Sequence, residues 1–246
     1  SNKSKSCRCF ANKKSSIVNT VEVVAHRGYA AKYLENTLEA LSEAIKAGAT
    51  MVEFDVQFTK DLTPIMLHDD NFKRTMGLDL SVFEITQREL QGKIELKQIS
   101  EVEEVMVWLK SNPGVKAFVE LKQESIDVHG LEVCVKTLRE SCDLAFNQCV
   151  FISFNPDAVK VAQEYGFIET GWVVLSYDEV GAKISKELSP DYLFGDKEIL
   201  PDDGSKLWEG SWKWVIYEVT SREVAARLIA RGVKIIESKK VEKMLS

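Results

Sequence analysis

The stretches 21-VEVVAHRG-28, 34-LENTLEALSEAIKAGA-49 and 51-MVEFDVQFTKDLTPIMLHDD-70 decide how this chain is read. Val21 to Ala25 is a β-branched run that stops at His26-Arg27-Gly28, which sets His26 and Arg27 at the carboxyl end of a strand, with Gly28 freeing the backbone to turn. Leu38, Leu41, Ala44 and Ile45 recur at helical spacing, and Gly48 supplies the stop. Met51 to Phe58 alternates: Val52, Phe54 and Val56 point one way, and Glu53, Asp55 and Gln57 point the other. Two carboxylates on one strand face repel each other unless a cation or cationic side chains stand between them. Their oxygen donors suit a hard divalent ion such as Mg2+ or Ca2+.

Thr59 to Pro64 reads as a turn, and Ile65-Met66-Leu67 as a strand folding back. A hairpin centred near Lys60-Asp61 brings His68 opposite Glu53, so His26, Glu53, Asp55 and His68 converge on one point. The alternative is an edge hairpin whose solvated face carries Glu53 and Asp55, with two structural histidines. Convergence of all four weakens that alternative.

The remainder of the chain alternates strand and helix. Strands are expected at Lys116 to Lys122, Cys149 to Ser153, Trp172 to Ser176, Asp191 to Gly195, Trp212 to Val219 and Gly232 to Glu237. Helices are expected at Glu101 to Leu109 behind a Ser100 cap, Pro156 to Tyr165 behind Asn155, Asp178 to Leu188, and Ser221 to Arg231. Residues 69–99 hold neither period for long and read as an insertion after the second barrel strand. The 246 residues suit one α/β domain, a TIM-type (β/α)8 barrel of about 250 residues with its active site at the strands' carboxyl ends. Glu120 and Lys122 share one face at such an end, where a cross-strand salt bridge is the plain alternative to a functional role.

Composition is that of a soluble globular protein, 45% hydrophobic and 28% charged. The net charge of -6 argues against general affinity for nucleic acid or anionic membranes, so an anionic substrate needs local positive charge. No apolar run approaches the roughly 18 residues of a spanning helix, and no signal-peptide core is visible. Five cysteines without framework spacing suggest reduced thiols and a cytoplasmic setting. Residues 1–20, rich in Lys and Ser, read as a flexible arm in which Cys7 and Cys9 stand alone. The single domain then runs from 21 to 246, with a homodimer left open.

His26-Arg27-Gly28, Glu35-Asn36-Thr37, Gly48-Ala49, Glu53-Phe54-Asp55-Val56, Thr59-Lys60-Asp61, His68-Asp69 and Arg74-Thr75-Met76-Gly77 together resemble the signature of the glycerophosphodiester phosphodiesterase family. Glu120-Leu121-Lys122 resembles the family's E-x-K element, and Ser153-Phe154 its S-F pair. The resemblance implies a TIM barrel whose insertion shapes the substrate pocket, and metal-dependent cleavage of glycerophosphodiesters to glycerol 3-phosphate. It implies Glu53, Asp55 and Glu120 as metal ligands and His26 and His68 as general acid and base. Arg27 and Lys122 would lie on the phosphoryl oxygens, Glu35 would orient Arg27 or receive a glycerol hydroxyl, and Phe154 and Tyr217 would border the substrate. The carboxyl-terminal part departs from the family: Tyr217-Glu218-Val219-Thr220 stands where W-T-V-N is common, and Ile235-Ile236-Glu237-Ser238 where I-I-T-D is. A lysophospholipase D-like or sphingolipid phosphodiesterase on the same barrel, and a non-catalytic glycerophosphodiester-binding module, are the competing readings.

Overall fold

Short runs rich in Val, Ile, Leu and Phe form the strands of a closed barrel in the computed structural model, which describes residues 21–246. They are β1 (Glu22–Ala25), β2 (Met51–Phe58), β3 (Pro64–Met66), β4 (Lys116–Leu121), β5 (Cys149–Ser153), β6 (Glu169–Val174), β7 (Tyr192–Asp196), β8 (Lys213–Tyr217) and β9 (Ile235–Ser238). All but β3 are parallel, and the ring closes where β1 pairs with both β9 and β2. This is the TIM barrel that strand-helix alternation predicts. Two helices, Gln123–His129 and Leu131–Ser141, were not among the expected elements; Gly130 at φ 90 separates them.

Barrel interiors are filled in layers by every second side chain of each strand. Here Val24, Met51, Phe118, Val150, Val215 and Ile235 belong to an apolar cluster inside the ring, apart from the larger cluster between strands and helices. Two residues further along the same faces stand His26, Glu53, Glu120, Tyr217 and Glu237. The inward face therefore changes from apolar to charged toward the carboxyl ends. Gly171 lies on this face because space is short: a Cβ there would meet Ile152 Cγ2 at 2.9 Å.

β3 pairs antiparallel with the far half of β2, on the edge that β1 leaves after Ala25. The register is Val56 with Met66 and Phe58 with Pro64, and the Leu67 N–H donates to the Asp55 carbonyl at 3.1 Å. The expected placing of His68 opposite Glu53 is thereby corrected, since Asp55 and Leu67 already face each other. The loop is the cause: it runs from Thr59 to Thr63, with Leu62 at φ 63, and is longer than a turn centred on Lys60-Asp61. Glu53 and Asp55 are each 1% exposed, which removes the solvated-edge alternative.

Beyond β3 the chain makes short helices at Lys73–Met76 and Gln87–Gln91. Ile65, Leu67, Phe72, Val82, Leu90 and Leu96 bury one another there in a small core of their own. The next helix, Val102–Lys110, is capped by Glu101, not by Ser100. The Ser100 carbonyl accepts the Met66 N–H at 2.9 Å, which holds Ser100 against β3, and Glu104 accepts the Glu101 N–H at 2.9 Å instead. Cys134, Cys142 and Cys149 are buried and form no disulfide. Residues 1–20, with Cys7 and Cys9, lie outside the described residues.

Candidate active site

The His26-Arg27-Gly28 turn is built by left-handed backbone at Arg27 (φ 54) and Gly28 (φ 75). A Cβ on Gly28 would lie 2.6 Å from the Ala40 carbonyl carbon, so only glycine lets the turn rest on the first helix, Leu38–Lys46. The turn aims the Arg27 N–H at Glu53 Oε2, 2.9 Å away. The Arg27 guanidinium reaches Glu35 Oε1 at 2.9 Å and lies 3.1 Å from Asp55 Oδ2.

Glu35-Asn36-Thr37 performs three separate tasks in three residues. Glu35 holds Arg27. Asn36 grips Asp55 from both sides, its Nδ2 donating to Oδ2 at 2.9 Å and its Oδ1 accepting the Asp55 N–H at 3.0 Å. Thr37 caps the first helix by accepting the Ala40 N–H at 3.1 Å.

Glu53, Asp55 and Glu120 each offer an oxygen within 4.8 Å of the others. Burial and the Asp55 charge push Glu53 well above the usual carboxylate range, and burial and Asp55 push Glu120 up to about 7. Burial opposes ionisation of Asp55 as well, yet Lys122 and Arg27 beside it hold it down to about 2. Lys122 Nζ stands 2.7 Å from Glu120 and 3.4 Å from Asp55. Glu53 Oε1 is buried with no hydrogen-bond partner. Three oxygen donors in mutual reach, one of them orphaned, fit a hard divalent cation, whose charge would return Glu53 and Glu120 to the ionised state that Asp55 already holds.

His26 Nδ1 lies 2.5 Å from Glu218 Oε2, and Nε2 lies 4.0 Å from Glu53. Burial lowers the His26 pKa against the pull of Glu218, while the bond to His26 overcomes burial to keep Glu218 ionised. A neutral imidazole donating Nδ1–H to Glu218 satisfies both and leaves the Nε2 lone pair facing the cavity. His68 Nδ1 lies 2.7 Å from Asp69 Oδ1. Arg74 grasps that carboxylate at 2.8 and 3.1 Å and extends to Glu35 at 2.6 Å. His68, Asp69, Arg74, Glu35 and Arg27 therefore form one continuous polar chain from the insertion into the barrel mouth.

A cavity of about 190 Å3 opens among these groups, lined by His26, Arg27, Asp55, His68, Glu120, Lys122, Phe154, Val173, Phe194, Tyr217 and Glu237. Among the residues singled out from sequence, Glu53 and Glu35 stand just behind the lining. Three contributors were missed: Asn36, Glu218 and Glu237. For Glu237 a signal existed, since Ile235 and Glu237 must share a face on a strand.

A TIM barrel whose carboxyl mouth gathers an acidic triad, two cationic side chains and two histidines defines a class of barrel protein with donors for a divalent cation and for an anionic ligand. The chain belongs to the glycerophosphoryl diester phosphodiesterase family, whose sequence model matches residues 26–183. It is 37% identical over 76 residues to a human lysophospholipase D, a match covering 30% of this chain and 24% of that protein. It is 31% identical over 124 residues to a glycerophosphodiester phosphodiesterase of Bacillus altitudinis, covering 47% of this chain and 51% of the relative. These matches thus span from a quarter to a half of the relatives' length. A phosphodiesterase of Oleispira antarctica, solved with the product sn-glycerol-3-phosphate, shares the fold with a TM-score of 0.77 at 22% identity, covering 91% of this chain and 94% of that one. A Thermotoga maritima glycerophosphodiester phosphodiesterase gives 0.70 at 24% identity, covering 90% and 96%. Among the described residues no helix is long and apolar enough to cross a membrane.

Proposed function

We propose that this protein hydrolyses glycerophosphodiesters to glycerol 3-phosphate and an alcohol with the help of a divalent cation, Mg2+ or Ca2+. The observation that carries this reading is the meeting of the acidic triad with His26, Arg27 and Lys122 around one cavity. Bound to Glu53, Asp55 and Glu120, the cation supplies Lewis acidity and a template for the phosphodiester. Arg27 and Lys122 neutralise charge growing on the phosphoryl oxygens, in a buried setting where such charge pairs act strongly. His26 exchanges a proton at Nε2 while Glu218 fixes its tautomer. His68, oriented through Asp69, serves as the second proton-transfer group. Glu35 positions Arg27, and Phe154 and Tyr217 wall the leaving group. The Oleispira protein's complex with sn-glycerol-3-phosphate supports the same product for this chain.

The test is release of glycerol 3-phosphate from glycerophosphocholine and glycerophosphoethanolamine, first with EDTA and then with Mg2+ or Ca2+ restored. Release that returns with the cation is expected. No release under any cation overturns the proposal.

One observation favours a second reading, lysophospholipase D-like activity. Phe154 and Pro156 line a groove beside the cavity together with Leu175, which is 72% exposed, an apolar rim suited to an acyl chain. Lysophosphatidylcholine cleaved faster than glycerophosphocholine would decide for it; binding without turnover of either would leave a non-catalytic binding module.

A further inference from the structure

Glu237 is the one carboxylate of the cavity for which neither the acidic triad nor the histidine supports account. It projects from β9 into the barrel, one step above Ile235, and is 3% exposed. Its neighbours on the sheet are β1, where it registers with Val24, and the start of the segment after β8, where its carbonyl accepts the Val219 N–H at 3.0 Å. Its side chain lines the cavity, yet Oε1 is buried with no hydrogen-bond partner. Buried polar atoms without partners are rare and costly, so a carboxyl oxygen left open at a cavity wall is waiting for a donor that the chain does not supply.

Three kinds of donor are conceivable, and the surroundings separate them. A cation shared with the triad is disfavoured, because the mutually close oxygens belong to Glu53, Asp55 and Glu120 and not to Glu237. An ionised phosphoryl group offers acceptors only, and Arg27 and Lys122 line the same cavity as its donors. An ammonium head group is the leaving-group end of the substrate, already given to Phe154 and Tyr217 on the cavity wall, and titration with phosphoethanolamine isolates it. A neutral hydroxyl is the donor that every glycerophosphodiester carries and that can displace water from Glu237 at the barrel mouth.

We propose that Glu237 is a specificity-determining residue that hydrogen-bonds a hydroxyl of the substrate's glyceryl group. This rests on reading the cavity as a glycerophosphodiester site. A site built to bond a hydroxyl rejects the analogue that lacks it, because its own buried polar group is then left unpaired.

Calorimetric titration with sn-glycerol 3-phosphate, n-propyl phosphate and phosphoethanolamine, in Mg2+ or Ca2+, tests this on wild type, Glu237→Ala and Glu237→Gln. Circular dichroism confirms that the variants fold, and glycerophosphocholine turnover is followed in parallel. Wild type is expected to bind sn-glycerol 3-phosphate about 10- to 100-fold more tightly than n-propyl phosphate, and Glu237→Ala to bind the two about equally. Glu237→Gln, which still offers an acceptor, should keep part of the preference. A preference untouched by Glu237→Ala, an equal weakening of both ligands, or selection of phosphoethanolamine through Glu237 overturns the inference. Turnover with such a result leaves the proposed activity standing. Glu237-dependent preference without turnover upholds the inference and removes that activity. Failure of wild type to bind any of the ligands overturns both.

Discussion

His26 and Glu218 stand 192 residues apart in the chain and meet at 2.5 Å between Nδ1 and Oε2. The contact spans the seam where β1 and β9 close the barrel, and it decides which imidazole nitrogen carries the proton. Glu218→Gln keeps the size and a polar contact but removes the charge and allows the other tautomer. Loss of such a support typically costs 10- to 100-fold or more. We expect kcat for glycerophosphocholine to fall by at least about 10-fold, with thermal stability little changed. Unaltered kcat would show that Glu218 does not govern the imidazole.

The acidic triad predicts a stability that depends on cation and pH. Glu120 stands at about 7 in the folded chain, above its ordinary 4.5, so without cation the folded state binds the proton more tightly than the unfolded state. That contribution is fully present below about pH 4.5 and is lost as pH rises through 7. A cation bound only by the folded state restores it by mass action, about 2.7 kcal/mol at 100 times its dissociation constant. The rise in Tm on adding Mg2+ or Ca2+ should therefore be larger at pH 8 than at pH 5, and Glu53→Gln should abolish it. Equal shifts at both pH values, or a shift kept in the variant, would contradict the ligand set.

Arg74 holds Asp69 and Glu35 at once, so it supports His68 on one side and Arg27 on the other. Its side chain is about half exposed, and exposed pairs contribute little to stability, about 0–1 kcal/mol. Arg74→Ala is expected to lower kcat/KM by about 10-fold while shifting the urea midpoint only slightly. His68→Ala should cost more than Arg74→Ala. The reverse order would mean that Arg74 contacts substrate itself.

Gly28→Ala combines a left-handed backbone with a Cβ pressed against the Ala40 backbone. Strain of this kind costs of order 1–3 kcal/mol before any relaxation of the helix. Equilibrium unfolding should report a loss of about 2 kcal/mol or more, accompanied by weaker cation binding as the Arg27 N–H leaves Glu53. A neutral effect on both would mean the turn is free to move.

The barrel was legible because its strands are short β-branched runs separated by helical repeats, a periodic signal that survives in the sequence alone. The triad and both histidines were legible partly from alternation, as at Glu53 and Asp55, and partly from motif resemblance, as at Glu120. What escaped depends on distance and on loop detail. Glu218 acquires meaning only when β8 and β9 close on β1, a juxtaposition no local pattern encodes. Asn36 reads as an ordinary turn residue until the turn is seen to face Asp55. The hairpin register shifted because Leu62 takes a left-handed conformation, a choice that leucine does not announce. Ser100 was expected to cap a helix but is held by Met66.

The small core under residues 65–99 is separate from both barrel clusters, and β3 attaches it along the half of the β2 edge that β1 leaves free. Such an arrangement behaves like a tool clipped onto a fixed handle. Transplanting the corresponding insertion from a relative, with Asp69 and Arg74 retained as the clasp, should alter which head groups enter while the barrel keeps its own melting behaviour.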